Sequence, residues 1–149
     1  MEISWITPQI AIGGAIWNDE RMIVLVRAGV THILNMQLEF DDRPLARAYD
    51  VPVCWVAIDD DYQPKPPHVL MPGLDFALNA LADPASKLYI HCAAGIHRAP
   101  MMALAVLHAQ GMSLKLATET ITRARPIAEL LPVYVQSVAD LIKHHNGKR

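Results

Sequence analysis

Cysteine is scarce in this chain. Cys54 and Cys92 are the only two among 149 residues, too few for a disulfide framework. Positive charge is not in excess either: thirteen Lys and Arg stand against fifteen Asp and Glu, for a formal net charge of −2. That balance offers no basic patch of the kind that nucleic acid or an anionic membrane surface requires. No apolar run approaches the roughly 18 residues of a membrane span, and the first residues lack the basic start and long apolar core of a secretory signal. We therefore expect no nucleic-acid partner, no membrane partner and a cytoplasmic, reducing location. There is no repeat, tail or compositional break, so residues 1–149 are expected to form one monomeric domain. The seven histidines show no metal-ligand spacing, and no metal or other cofactor is expected.

What is present is an alternation of short apolar runs with helical patterns. Ile3 to Ile6 and Gln9 to Ile12 read as two short strands parted by Thr7-Pro8 and closed by Gly13-Gly14. Asn18 suits an N-cap, Asp19 and Glu20 a first helical turn, and Gly29 a stop. Thr31 to Met36 is the next strand, Asp42 to Tyr49 a short helix with Pro44 in its first turn, and Val51 to Ile58 a buried strand with Pro52 at its edge. A helix starting at His68 or Pro72 ends at Leu81 and leads to a strand over Lys87 to Ile90. Later helices run from Pro100 toward Gly111, from Leu114 to Arg125 and from Pro132 to about His145. Such alternation implies an α/β domain with a largely parallel central sheet, whose ligands bind beyond the carboxyl ends of the strands.

One stretch organises the rest: Tyr89-Ile90-His91-Cys92-Ala93-Ala94-Gly95-Ile96-His97-Arg98-Ala99-Pro100. A buried strand, a small-residue loop and a proline-opened helix fall within twelve residues. The N–H groups of Ala93 to Arg98, at the positive end of the helix dipole, would cradle a tetrahedral anion, with phosphate the natural choice. Arg98 would return to hold two of its oxygens. Surroundings of this kind lower cysteine pKa values to roughly 3.5–7.5, which makes Cys92 a nucleophile. A cysteine closing an apolar strand is ordinarily core filler; the surrounding His91, Gly95, Arg98 and Pro100 argue against that here.

The strand ending at Ile58 runs into Asp59-Asp60-Asp61-Tyr62-Gln63-Pro64-Lys65-Pro66-Pro67. By itself this is a solvated, proline-stiffened loop. A phosphate ester leaving as an alkoxide needs a positioned acid, however, and Asp59, Asp60 and Asp61 are all candidates.

His91-Cys92-Ala93-Ala94-Gly95-Ile96-His97-Arg98 resembles the H-C-x-x-G-x-x-R signature of cysteine-dependent phosphatases, in particular the small dual-specificity branch. Ile6 to Gly14 and Gly29 to Asn35 resemble that family's opening, so the likeness covers nearly the whole chain. It implies a four- or five-stranded sheet flanked by helices and a phosphocysteine intermediate. It further implies a catalytic Cys92, a phosphate-binding loop from Ala93 to Arg98 and a loop-shaping His91. The family's general acid lies about thirty residues before the nucleophile, which points to Asp60 over Asp61 and Asp59. Ala99 departs from the usual Ser or Thr and, with Pro100, resembles the PRL (phosphatase of regenerating liver) branch, implying slow breakdown of the intermediate. Arg125 reads as a structural support behind the loop. His97 either meets substrate or rims the pocket.

Ala93, Ala94 and Ile96 stand where phosphoinositide-directed relatives often carry lysines. This favours phosphotyrosine and phosphoserine/threonine of proteins, or a lightly charged small phosphoester, over a polyphosphate lipid. Rival readings are a slow or inactive phospho-binding module, suggested by Ala99, and another C-x5-R enzyme such as a sulfurtransferase or arsenate reductase. Cys54 is expected to be core filler or, alternatively, a partner that captures oxidised Cys92.

Overall fold

Among residues 1–147, which the computed structural model describes, five strands and six helices follow one another. They are β1 (Ile3–Trp5), β2 (Ile10–Gly13), α1 (Asp19–Arg27), β3 (His32–Asn35), α2 (Arg43–Arg47), β4 (Val53–Trp55), α3 (Pro67–Leu81), β5 (Leu88–His91), α4 (Arg98–Ala109), α5 (Leu114–Ala124) and α6 (Pro132–Gly147). The strands form one sheet in the order β1-β2-β5-β3-β4, parallel except for β1, which pairs antiparallel with β2 at the edge. None of these helices is long and apolar enough to cross a membrane.

The two faces of the sheet can be read residue by residue, because successive strand side chains point to opposite sides. Ile10, Ile12, Leu34, Leu88 and Ile90 join the larger core with Leu70, Leu74, Leu104, Leu107, Val138 and Leu141 of α3, α4 and α6. Ala11, Ile33 and Tyr89 face the other way, against Met22, Leu25 and Ala46 of α1 and α2. Strands covered on both faces need no polar alternation, which is why β2, β3 and β5 carry apolar side chains toward both layers. α4 is buried from Arg98 through Leu107, since the sheet, α3, α5 and α6 surround it. Each of its large apolar side chains contributes about 1.5–3 kcal/mol by burial. This anchoring fixes the helix whose first residue is Arg98.

The expected caps form. The Asn18 side chain accepts from the Arg21 N–H at 2.9 Å, and Ser113 caps α5 through the Leu116 N–H at 3.1 Å. The boundaries of β4 and α3 differ from expectation. The strand expected over Val51 to Ile58 is laddered only over Val53–Trp55, because the chain then peels away, keeping one bond from the Val56 N–H to Asn35 O and one from the Leu38 N–H to Ile58 O. α3 begins at Pro67, ahead of His68, and carries Pro72 inside it. The pairing of Cys54 with Cys92 is corrected by register. Cys54 is level with Ile90 two strands away, and Cys92 lies two residues further along, so the Cα atoms are roughly 10 Å or more apart, beyond disulfide reach. Burial pushes the Cys54 thiol pKa up, as suits a core residue.

Candidate active site

β5 is the central strand, and Cys92 follows it at the carboxyl end of the parallel strands, with α4 starting six residues later. The carbonyls of the intervening loop are all tied outward. Ala93 O accepts from the Ala15 N–H (3.1 Å), Ala94 O from Arg125 Nη2 (2.9 Å), Gly95 O from Arg125 Nε (2.8 Å) and Ile96 O from the Glu129 N–H (2.8 Å). A trans peptide sets its N–H opposite its C=O, so the N–H groups of Ala94, Gly95, Ile96 and His97 point into the loop. They have no partner among the described residues. Cys92 lies beneath them, 3% exposed, its Sγ accepting from the Ala99 N–H at 3.4 Å.

Gly95 makes the loop possible. Its φ is +68°, and a Cβ there would come within 2.7 Å of the Gly13 backbone and 2.8 Å of Arg125 Nη2. Arg125 is itself buried, and its Nη1 donates to Ser4 Oγ at 3.0 Å, so the support extends to β1.

Arg98 is held on one edge. Its Nη1 and Nη2 each donate to the Glu39 carboxylate at 2.7 Å, and Nη1 also donates to Ile58 O at 2.7 Å. The Nε on the other edge is buried and has no partner among the described residues. Arg98 keeps the Glu39 carboxyl below the usual carboxylate range. Because that folded value is depressed, the contribution of Glu39 to stability is present at neutral pH and is lost as pH falls through it, below about 4.5. Glu39→Gln should cost about 1–2 kcal/mol at pH 7, allowing for the half-exposed carboxylate, and less at about pH 3.5. Denaturant midpoints of both proteins at the two pH values check this.

His91 does not touch the thiol. Its Nε2 lies 2.6 Å from Asp42 Oδ2, while its Nδ1 lies 3.3 Å from Cys92 O and its ring stacks on Tyr89. Asn35 completes the buried group by donating to Asp42 Oδ1 at 3.1 Å. His91 thus shapes the base of the loop through Asp42.

Of the three aspartates, only Asp60 reaches the loop. Its Oδ2 lies 2.8 Å from His97 Nδ1, and its Oδ1 accepts from the Tyr134 hydroxyl at 2.9 Å. Burial and the bond to Asp60 push the Tyr134 pKa up, so the phenol remains a donor. Asp61 is tied to Lys65, which lowers its pKa and leaves it a poor proton donor. Asp59 accepts the Asp60 N–H at 2.9 Å. Ala99 is buried and places no hydroxyl beside Cys92. Among the described residues, no group of three or more His, Cys, Asp or Glu side chains converges as a metal site.

Sequence reasoning missed Glu39, Asp42, Tyr134 and Glu129. None lies in a local pattern that marks it, and each meets its partner from more than 30 residues away.

No protein-family model and no curated protein sequence matches the chain. Solved structures do. PTPMT1 superposes with a TM-score of 0.84 at 18% identity, covering 99% of this chain and 98% of that one. It also superposes as its complex with PI(5)P, with a TM-score of 0.83 at 19% identity over 98% and 97% of the two chains. Human DUSP28 gives 0.80 at 23% identity over 97% and 95%, and Tk-PTP in its active form gives 0.80 at 18% over 95% and 96%. Over nearly its whole length, the chain has the fold of the cysteine-dependent dual-specificity phosphatases.

Proposed function

We propose that the chain hydrolyses phosphomonoesters through a phosphocysteine intermediate, acting on phosphotyrosine and phosphoserine/threonine of proteins. The observation that carries this reading is the loop of inward N–H groups, closed by the free Nε edge of a buried Arg98, directly above Cys92. In the first step Cys92 Sγ bonds to phosphorus as the ester P–O bond breaks. The loop N–H groups and Arg98 hold the equatorial oxygens, and Asp60 protonates the leaving oxygen. In the second step water, losing a proton to Asp60, bonds to phosphorus as the S–P bond breaks, releasing phosphate and the thiolate.

A protein substrate is supported by the mouth of the cleft. Glu39, Asp60 and Glu129 are acidic, and Ala93, Ala94 and Ile96 bring no cation to balance several phosphates. The likeness to PTPMT1 in complex with PI(5)P supports a second reading, a lipid phosphoester. Comparing kcat/KM for phosphopeptides and for PI(5)P separates the two.

Rapid-quench turnover of para-nitrophenyl phosphate tests the chemistry. The wild type should release a burst near one equivalent and then turn over slowly. Ala99→Ser, which puts a hydroxyl within reach of Sγ, should raise the steady rate several-fold and shrink the burst. Reduced protein that gives neither burst nor turnover would refute the proposal in favour of a phospho-binding module.

A further inference from the structure

The first chemical step needs a proton on Asp60 at working pH, whereas an aspartic acid in water is ionised above about pH 4. Tyr134 gives Asp60 a hydrogen bond but cannot supply that proton, because its phenol stays neutral. The other neighbour is different in kind. His97 Nδ1, 2.8 Å from Asp60 Oδ2, belongs to a ring that carries either one proton or two. Its far nitrogen, Nε2, lies 3.6 Å from Glu129 Oε2, which suits a ring carrying two. The ring is held edge-on by Tyr62 at 5.5 Å between centroids, and its side chain is only 14% exposed. The other charged or titratable groups around the pair are Arg98, with Glu39 on its far edge, Cys92 on the loop floor, and Asp59 and Asp61 on the acid loop, the last occupied by Lys65.

Resting on the phosphatase reading, we propose that His97 is a positioning residue that shares one transferable proton with Asp60 and so keeps the acid loaded at neutral pH. With the pair loaded, the proton lies on Nδ1 or on Oδ2. As the leaving oxygen gains charge it takes the proton from Asp60, leaving a carboxylate beside a neutral ring whose remaining hydrogen is on Nε2. The attacking water then returns one proton to Asp60, and the pair is reset. Above the pH at which the pair loses this proton, one ring hydrogen remains; once it has moved from Nε2 to Nδ1 it bonds the carboxylate, and the pair has nothing left to donate.

His97→Asn keeps an N–H donor near the position of Nδ1 but cannot store a proton. The test is the pH profile of kcat/KM for a phosphoserine peptide, whose leaving group needs protonation, with para-nitrophenyl phosphate alongside. For the peptide, the alkaline limb of His97→Asn should move down by about one to two pH units, and the ratio of rates at pH 7 and pH 5 should fall about tenfold or more. The shift should be smaller for the aryl ester. In the wild type, the His97 ring ¹⁵N shifts should titrate at the same pH as the kinetic limb, a readout that does not depend on the variant folding. A variant limb that coincides with the wild type, or a ring that titrates elsewhere, overturns the shared proton while leaving the phosphatase reading standing. A wild type inert toward every phosphoester overturns both.

Discussion

On the proposed phosphatase reading, Cys92→Ser should lower turnover of phosphate esters by about 10⁴-fold or more and abolish the burst. The variant should fold, because the side chain is 3% exposed and nearly the same size, and a hydroxyl can accept the Ala99 N–H as the sulfur does. What it loses is the nucleophile. A serine hydroxyl keeps its proton at neutral pH, and among the described residues the hydrogen-bond partner at this position is the Ala99 N–H, not a general base. The anion cradle remains, because the inward N–H groups and Arg98 Nε depend on contacts that do not involve Sγ. Calorimetric titration with phosphate or tungstate should therefore give a Kd within a few-fold of the wild type while rapid quench detects no product burst. A variant retaining even a hundredth of wild-type turnover would show that the phosphoryl group passes to something other than Cys92.

The second large effect belongs to a residue that never meets substrate. Arg125→Met removes the donors to Ala94 O, Gly95 O and Ser4 Oγ, all at 2.8–3.0 Å, from a side-chain site that is nearly closed to water. Methionine fills much of the volume but leaves two loop carbonyls unbonded, at about 1–3 kcal/mol for each buried acceptor, part of it recovered by relaxation. We expect a net loss of about 2–4 kcal/mol, or about 5–15 °C in Tm for a chain of this size. Activity should suffer further. Carbonyls freed from behind can rotate, and each peptide that turns takes an inward N–H out of the cradle, so kcat/KM should fall about 10²-fold even at temperatures where the variant is fully folded. Scanning calorimetry together with kcat/KM at 15 °C separates the two effects. Unchanged kinetics in a destabilised protein would mean that Gly95 and the Ala15–Ala93 bond hold the loop unaided.

The reach of sequence reasoning follows the distance over which each feature is specified. Cys92 to Arg98 is legible because strand, turn, φ-permissive Gly95 and helix start are all encoded within a few residues. The layering is legible for a similar reason. Ile10, Ile12, Leu88 and Ile90 alternate with Ala11 and Tyr89 on strands that helices cover from both sides. Asp60 could be narrowed down only by analogy, since Asp59, Asp60 and Asp61 are alike in sequence; what distinguishes them is Tyr134 on α6 and His97 on the loop. The Glu39 clamp on Arg98 and the Asp42 group under His91 leave no local trace, because an exposed-looking acid in a polar stretch carries no sign of what it will face after folding. The end of β4 is misjudged for the opposite reason. Val56 and Ile58 keep a strand-like apolar alternation after the ladder has opened, their side chains buried in the larger core.

The loop's outer tethers have a bearing on how the molecule assembles. Ser4 and Arg125 are 121 positions apart, Tyr134 and Asp60 are 74, Arg98 and Glu39 are 59, and His91 and Asp42 are 49. Closing contacts of such separation costs chain entropy that local helices do not bear, so the cleft is completed late in folding, when the sheet already holds β1 beside β2. The Ser4–Arg125 contact, on the edge strand β1, is the one exposed to fraying of that edge. Activity at the proposed site would therefore report the integrity of the whole topology, and a nearly native chain with its helices intact could already have lost it.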